Sequence, residues 1–355
     1  MRKVDEKEAN RKTIFGGHQR AGGRSTDLRG GKGCSGRGDA TGGLRKVLGV
    51  DQGGNLPSRQ SSMGGPRSEK FAQRVREGIS DLAGTPSIHS QEMGRGGKKA
   101  GARGMKTLVL ANQKGGVGKT ATVVHLAFDF FERGLRVVVI DLDTQANASY
   151  TLRAYVTGVR ASSLFVSEMP NVLPHGQNIA LIQSDAGLAN MEKLSIAEAA
   201  TFFRKAIGAL DEQGFDVCLI DTAPSLGVGM AAALASADYV LSPVELEAYS
   251  IQGIQRMVTT ISNLRKANPK LQFLGMLPSK FDARNPRHGR HLDELNKAYP
   301  QLIIPIEIGL RGSIAEALAS SVPVWEIKKT AARKAAKEVR ALAAHICEKM
   351  EIKND

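Results

Sequence analysis

The stretch from Lys106 to Thr122, KTLVLANQKGGVGKTAT, restricts what this chain can fold into more than any other part of its 355 residues. Thr107 to Ala111 are apolar or β-branched, which suits a buried strand. Gly115, Gly116 and Gly118 then form a loop. Lys119 and Thr120 open a helix whose apolar positions are Val123, Val124, Leu126, Ala127 and Phe130. Strand, glycine loop and helix in that order build a phosphate cradle. Glycines let the backbone turn tightly and bring its N–H groups close to phosphate oxygens. The helix N-terminus adds partial positive charge, Lys119 adds a full one, and the Thr120 hydroxyl is a ligand for Mg²⁺. The expected nucleotide contacts are Gly115, Gly116, Val117, Gly118, Lys119, Thr120 and Ala121.

The common spacing G-x-x-x-x-G-K-[ST] would place a glycine at position 113, where this chain has Gln113. It carries instead a second lysine, Lys114, at the mouth of the loop. That pattern, KGGVGKT, resembles the deviant P-loop of the ParA/MinD ATPases. The resemblance implies an α/β fold with a doubly wound, mostly parallel sheet, and ATP with Mg²⁺ as cofactors. It also implies that Lys114 reaches across a dimer interface to the partner subunit's nucleotide, while Lys119 serves its own.

Further motifs extend the resemblance over residues 105–350. RVVVIDLD reads as a second buried strand ending in two aspartates, and carboxylates at the C-terminal ends of parallel strands face the ligand crevice. Asp141-Leu-Asp143-Thr-Gln145-Ala-Asn resembles the family's D-x-D-P-Q-G-N, with Thr144 and Ala146 in place of proline and glycine. By that resemblance Asp143 orients the attacking water and Asp141 supports the magnesium site. FDVCLIDTAPSLG supplies another strand, ending at Asp221, the carboxylate expected to hold Mg²⁺ through water. The catalytic set is therefore Lys114, Lys119 and Asp143, and the metal set Thr120, Asp141 and Asp221.

The C-terminal third carries two more matches. Ser279-Lys280-Phe281-Asp282 resembles the segment flanking adenine. LIIPIEIGLRGSIAEALASSVPVW resembles the family's I-P…R-x-S-x-A…G-x-P-V run, with Ser321 replacing its glycine. The resemblance puts Ser279, Pro305 and Ile306 around the base. It makes Arg284 and Arg311 the arginines that hold DNA non-specifically in the ATP dimer. A final helix expected from Glu326 to about Met350 has Val339, Leu342, Ile346 and Met350 on its apolar face. Lys328, Lys329, Arg333, Lys334, Lys337 and Arg340 make its first half basic, suited to phosphate contacts that carry affinity without sequence.

Lys and Arg exceed Asp and Glu by 14, and the excess is concentrated at the start. Residues 1–104 hold 21 Lys and Arg against 10 Asp and Glu. Stretches such as GGHQRAGGR and RGGKGCSGRG cannot bury enough apolar surface to offset chain entropy. This segment reads as a disordered basic arm with one amphipathic island at 68–82, ahead of an ATPase domain over 105–355. It lacks the apolar content for the helix-turn-helix domain of longer ParA-type proteins, so site-specific DNA reading is not expected. Cys34, Cys218 and Cys347 offer neither a disulfide framework nor a metal spacing. No run approaches the roughly 18 apolar residues of a membrane span. A MinD-type membrane ATPase would need an amphipathic tail with large apolar residues; MEIKND is too polar, while the basic helix before it keeps that alternative open. An iron-protein reductase would need cysteines spaced for a bridging cluster. The expectation is a cytoplasmic, nucleoid-associated ATPase that segregates DNA, with non-specific duplex DNA and a ParB-type centromere-binding protein as partners.

Overall fold

The computed structural model describes residues 104–166, 172, 178–247 and 250–352. The basic arm up to residue 103, including the island at 68–82, lies outside the described residues. Eight strands form one sheet in the order β3-β4-β2-β5-β1-β6-β7-β8, and every pairing is parallel. They are β1 (Lys106–Leu110), β2 (Val137–Leu142), β3 (Val156–Arg160) and β4 (Ile179–Gln183). β5 (Val217–Thr222), β6 (Tyr239–Glu245), β7 (Gln272–Phe281) and β8 (Ile308–Gly309) complete the sheet. This is the expected doubly wound α/β arrangement.

Period-two alternation along the strands feeds two cores, one on each face of the sheet. Leu108 and Leu110 point to one core with Val137, Val139, Val217 and Leu219. Val109 points to the other with Val138, Ile140, Cys218 and Ile220. The first core is covered by α1 (Lys119–Glu132) and α9 (Thr330–Lys349). The second is covered by α4 (Ile196–Glu212) and α5 (Val228–Ser236). The remaining helices are α2 (Asn147–Thr151), α3 (Leu188–Met191), α6 (Ser250–Arg265), α7 (Pro286–Ala298) and α8 (Gly312–Ser320).

Local chemistry sets the helix ends. Ser195 and Glu198 form a reciprocal capping box at the start of α4, each side chain bonding the other's backbone. Gly134, in the left-handed region at φ 85°, follows the end of α1. Val339, Leu342, Ile346 and Met350 are all buried, as the stripe on α9 predicts.

Two expectations need correction. The final helix begins at Thr330 rather than Glu326, because Val324–Glu326 form a separate 3₁₀ turn and Ile327 and Lys329 are extended. The sequence of residues 157–176 reads as irregular, yet its first four residues belong to the edge strand β3. Its exposed Val156 and its Gly158 at φ 83° hide the apolar alternation of a half-buried strand. No helix among the described residues is long and apolar enough to cross a membrane.

Candidate nucleotide site

β1 sits at the switch point of the sheet, between β5 and β6, and the chain leaves it into the glycine loop. In open parallel sheets that crevice is where ligands bind. A cavity of about 400 Å³ opens there, lined by Gly116 to Ala121 and faced by Asp143, Asn147, Tyr150 and Pro224. Gly116 and Gly118 have φ of 75° and 93°, a region open to glycine at little cost. A Cβ on Gly118 would also stand 2.8 Å from the Ser279 hydroxyl, so the loop packs directly on the end of β7.

The two lysines are held differently. Lys119 is buried, and its ammonium donates to the Asn112 carbonyl at 3.2 Å and the Lys114 carbonyl at 3.5 Å. Burial pulls its pKa below the usual lysine value, opposed by the Asp221 and Asp143 charges. Lys114 stays at the surface, where its ammonium lies 2.6 Å from Glu245 and 2.5 Å from Glu247. Burial acts to lower its pKa, but the two carboxylates hold it above the ordinary lysine value. Lys280 also pairs with Glu245, at 2.9 Å.

Register explains the carboxylate cluster. Asp141 of β2 and Asp221 of β5 are direct cross-strand partners, and Asp221 is also in register with Leu110, the last residue of β1. The Thr120 hydroxyl donates to Asp221 Oδ2 at 2.6 Å, while Asp221 Oδ1 is buried without a hydrogen-bond partner. Burial and then the neighbouring Asp141 carboxylate push Asp221 up to about 8. Asp141 is also raised, chiefly by burial. Its Oδ2 accepts from the Ser149 amide and hydroxyl at 2.8 and 2.7 Å, and its Oδ1 from the Asp143 amide at 3.1 Å. Asp141 therefore anchors the turn that presents Asp143. Asp143 is half-buried on the cavity wall, and its Oδ1 accepts from the Gln145 amide at 3.0 Å.

These donors suit magnesium. A hydroxyl and carboxylates are hard oxygen ligands, and the orphaned Asp221 oxygen is an acceptor that a cation would satisfy. Among the described residues no cluster of three or more His, Cys, Asp or Glu forms a ready-made cage. Mg²⁺ keeps several waters and shares its shell with substrate phosphates.

Other expected site residues are dispersed. Ser279 borders a second cavity of about 210 Å³ that shares Gly118, Ala121 and Leu318 with the first. Pro305 and Ile306 instead line a groove of about 880 Å³ with Arg284, Arg311, Lys334 and Lys337. Arg284 is 88% exposed at its side chain and pairs with Asp282 at 3.0 Å. Arg311 is only 19% exposed and is engaged by Glu338 through two nitrogens. Lys329 pairs with Glu316 at 2.6 Å, and Lys328 and Arg333 are exposed. Arg340, counted above among cations suited to phosphate, stacks 3.8 Å from the Trp325 ring centroid and ion-pairs with Asp129 and Glu132 of α1. Its charge is thus already satisfied inside the fold. Sequence reasoning passed over Tyr150, an exposed aromatic on the cavity wall with Arg153 stacked 4.7 Å from its centroid. It also passed over His125, on the buried side of α1.

A family profile described as an AAA domain matches residues 105–273. Protein IncC of Escherichia coli, a ParA-type plasmid partition protein, is 58% identical over 359 residues, covering 98% of this chain and 99% of its own length. The chain belongs to the ParA-type plasmid partition ATPases. Chromosome-partitioning ATPase Soj of Thermus thermophilus is 37% identical over 188 residues, which cover 51% of this chain and 71% of Soj. Among solved structures, cobyrinic acid a,c-diamide synthase from Mycobacterium smegmatis with bound ADP and magnesium superposes with a TM-score of 0.57 at 25% identity. The match covers 70% of this chain and 97% of the synthase. The ParA-type protein is a P-loop ATPase whose cofactors are ATP and Mg²⁺.

Proposed function

We propose that this ATPase segregates DNA as a nucleotide-switched dimer: it pairs with a second copy when Mg-ATP is bound, holds duplex DNA without sequence preference, and lets go after hydrolysis. A ParB-type centromere-binding protein would stimulate that hydrolysis, and the nucleoid would be the DNA substrate. The division of labour between the two lysines carries this reading. Lys119 folds back on its own loop, whereas the half-exposed Lys114 stands outside the cavity on two carboxylates, Glu245 and Glu247, that a partner's phosphates can replace. Asp143 would place the attacking water, since phosphoryl transfer is mostly a matter of positioning and charge stabilisation.

The basic helix and groove support the DNA half of the cycle. Lys334 and Lys337 on α9 face the groove beside Arg284, and Lys328 and Arg333 extend the charge at the start of that helix. Residues 1–104 would act as a basic arm appended to a domain spanning 105–355. The decisive measurement is fluorescence anisotropy of labelled duplexes of two unrelated sequences with ATP, ADP and no nucleotide. Tight binding with ATP alone, equal for both sequences, is expected. Equal affinity in all three conditions would overturn the switch.

A further inference from the structure

Four residues from three segments close a ring of hydrogen bonds around the turn that carries Asp143. The Asp143 amide donates to Asp141 Oδ1 at 3.1 Å, and Asp141 Oδ2 accepts from the Ser149 hydroxyl at 2.7 Å. Ser149 Oγ accepts in turn from the Ser184 amide at 2.9 Å. The Ser184 hydroxyl completes the ring by donating to the Asp143 carbonyl at 2.7 Å. Asp141 and Asp143 stand at the end of β2, Ser149 on α2, and Ser184 just after β4. Asp141 and Ser184 are both buried, so water competes little for these bonds.

The ring pins both peptide groups that flank the Asp143 Cα, one to Asp141 and the other to Ser184. The Asp143 carboxylate accepts at Oδ1 from the Gln145 amide, and among the described residues its Oδ2 accepts no hydrogen bond. Asp143 lines the phosphate cavity, and an open carboxylate oxygen there can hold a water. The Asp143 carbonyl already accepts from the Ala146 amide at 2.8 Å, so the Ser184 hydroxyl adds a second bond to a group satisfied without it. What that bond adds is direction: it fixes how the turn presents the carboxylate. Phosphoryl transfer depends on positioning, so a small misalignment of Asp143 costs rate. We infer that Ser184 is a positioning residue for ATP hydrolysis, its hydroxyl reaching from the end of β4 to aim Asp143 at the attacking water. The inference rests on the role proposed above for Asp143 and not on DNA binding.

Steady-state hydrolysis of Mg-ATP by the full-length protein, with ADP affinity measured by calorimetry, separates rate from binding. Ser184→Ala is expected to lower kcat about 3- to 10-fold while leaving the ADP Kd unchanged. Ser184→Thr, which keeps the hydroxyl, should hydrolyse ATP close to the wild-type rate. Ser184→Cys offers only a weak donor, so it should behave like the alanine variant and gives a second reading if that variant does not fold. A wild-type kcat in Ser184→Ala would overturn the assignment. So would a loss of ADP affinity as large as the loss of rate, which marks a loosened cradle. A threonine variant as slow as the alanine one would assign the effect to packing rather than to the hydroxyl. Asp143→Ala sets the limit, because a residue acting through Asp143 cannot cost more than Asp143 itself. A Ser184→Ala protein slower than Asp143→Ala would therefore reject the route through that carboxylate. Wild-type hydrolysis by Asp143→Ala would instead overturn the water-placing role of Asp143, and this inference with it.

Discussion

The Thr120 hydroxyl, on the wall of the phosphate cavity, and the buried Asp221 carboxylate, 101 residues apart in sequence, meet at 2.6 Å. The contact joins the first turn of α1 to the end of β5 and leaves the second Asp221 oxygen buried and unpaired. Such a carboxylate is held for function at a cost in stability. Burial and Asp141 raise its folded pKa to about 8, well above that of an unfolded aspartate. In the metal-free protein its contribution is therefore fully present below about pH 4 and is lost as pH rises through about 8. Asp221→Asn should remove this term, raising the thermal midpoint at pH 8 in chelator while abolishing Mg-dependent hydrolysis. Each kcal/mol gained would move the midpoint by about 2–4 °C for a domain of this size. A lower midpoint at pH 8 would show that the ionised carboxylate stabilises the empty site.

Lys114→Ala tests the trans role of the surface lysine. Its partner Glu247 is at the surface, where such a pair contributes about 0–1 kcal/mol, and the largely covered Glu245 keeps Lys280 as a second cation. The variant should fold normally and bind ADP like wild type, but fail to dimerise with ATP in light scattering. Lys119→Ala, which removes the buried ammonium from the loop itself, should lose nucleotide affinity first. A normal ATP dimer in Lys114→Ala would leave that lysine without a role across the interface.

The two departures from the family's glycines prove to be backbone positions. Ala146, where the resembling motif has glycine, sits at φ 55°, and Ser321, likewise replacing glycine, sits at φ 56°. Both lie in the left-handed region that costs an L-residue roughly 1–2 kcal/mol. Ala146→Gly should gain about 0.5–1 kcal/mol in chemical denaturation. Ser321→Gly should gain less, because the Ser321 hydroxyl is a hydrogen-bond acceptor for Arg153. Destabilisation by Ala146→Gly would mean that its methyl packing outweighs the strain.

What the sequence made legible follows from how locally each feature is encoded. The cradle is contiguous from Lys106 to Thr122, and the strand-end positions of Asp141 and Asp221 follow from apolar runs that stop there. β3 was hidden because an edge strand needs no continuous apolar face. The engagement of Arg311 by Glu338 and of Arg340 by Asp129 depends on helices brought together by the sheet, across 27 and 211 residues. Nothing near either arginine announces its partner.

The basic arm gives a prediction that separates charge from fold. The Met105 amide donates to Asp211 at 2.7 Å, so a protein starting at Met105 would place a new ammonium beside that carboxylate. Such a protein should keep nucleotide binding and hydrolysis. Its DNA binding with ATP should be weaker at low salt, with the deficit shrinking as salt rises, because the Debye length falls to about 8 Å at physiological strength. A large change in ATPase rate that persists at high salt would reject a purely electrostatic arm.

Arg284 and Arg311 share one groove but stand in different electrostatic settings, so their loss should read differently. Arg284 is almost fully exposed, and its pairing with Asp282 is a surface contact that DNA phosphate can displace. Arg284→Ala should leave the thermal midpoint unchanged and weaken binding to all sequences alike. The slope of log K against log salt should flatten by about 0.9 for each lost phosphate contact. Arg311 is mostly covered, and Glu338, its partner, also accepts from the Gly309 amide at 3.0 Å, tying α9 to β8. Arg311→Ala would leave that carboxylate short of its charge partner in a half-buried place, at about 1–3 kcal/mol of stability. Its first effect should be a lower midpoint, with any loss of DNA affinity following from a loosened α9 and its lysines. Assaying well below the lowered midpoint should then recover ATP-dependent DNA binding in Arg311→Ala but not in Arg284→Ala. An Arg311→Ala protein with a wild-type midpoint and a flattened salt slope would instead place Arg311 directly on the phosphates.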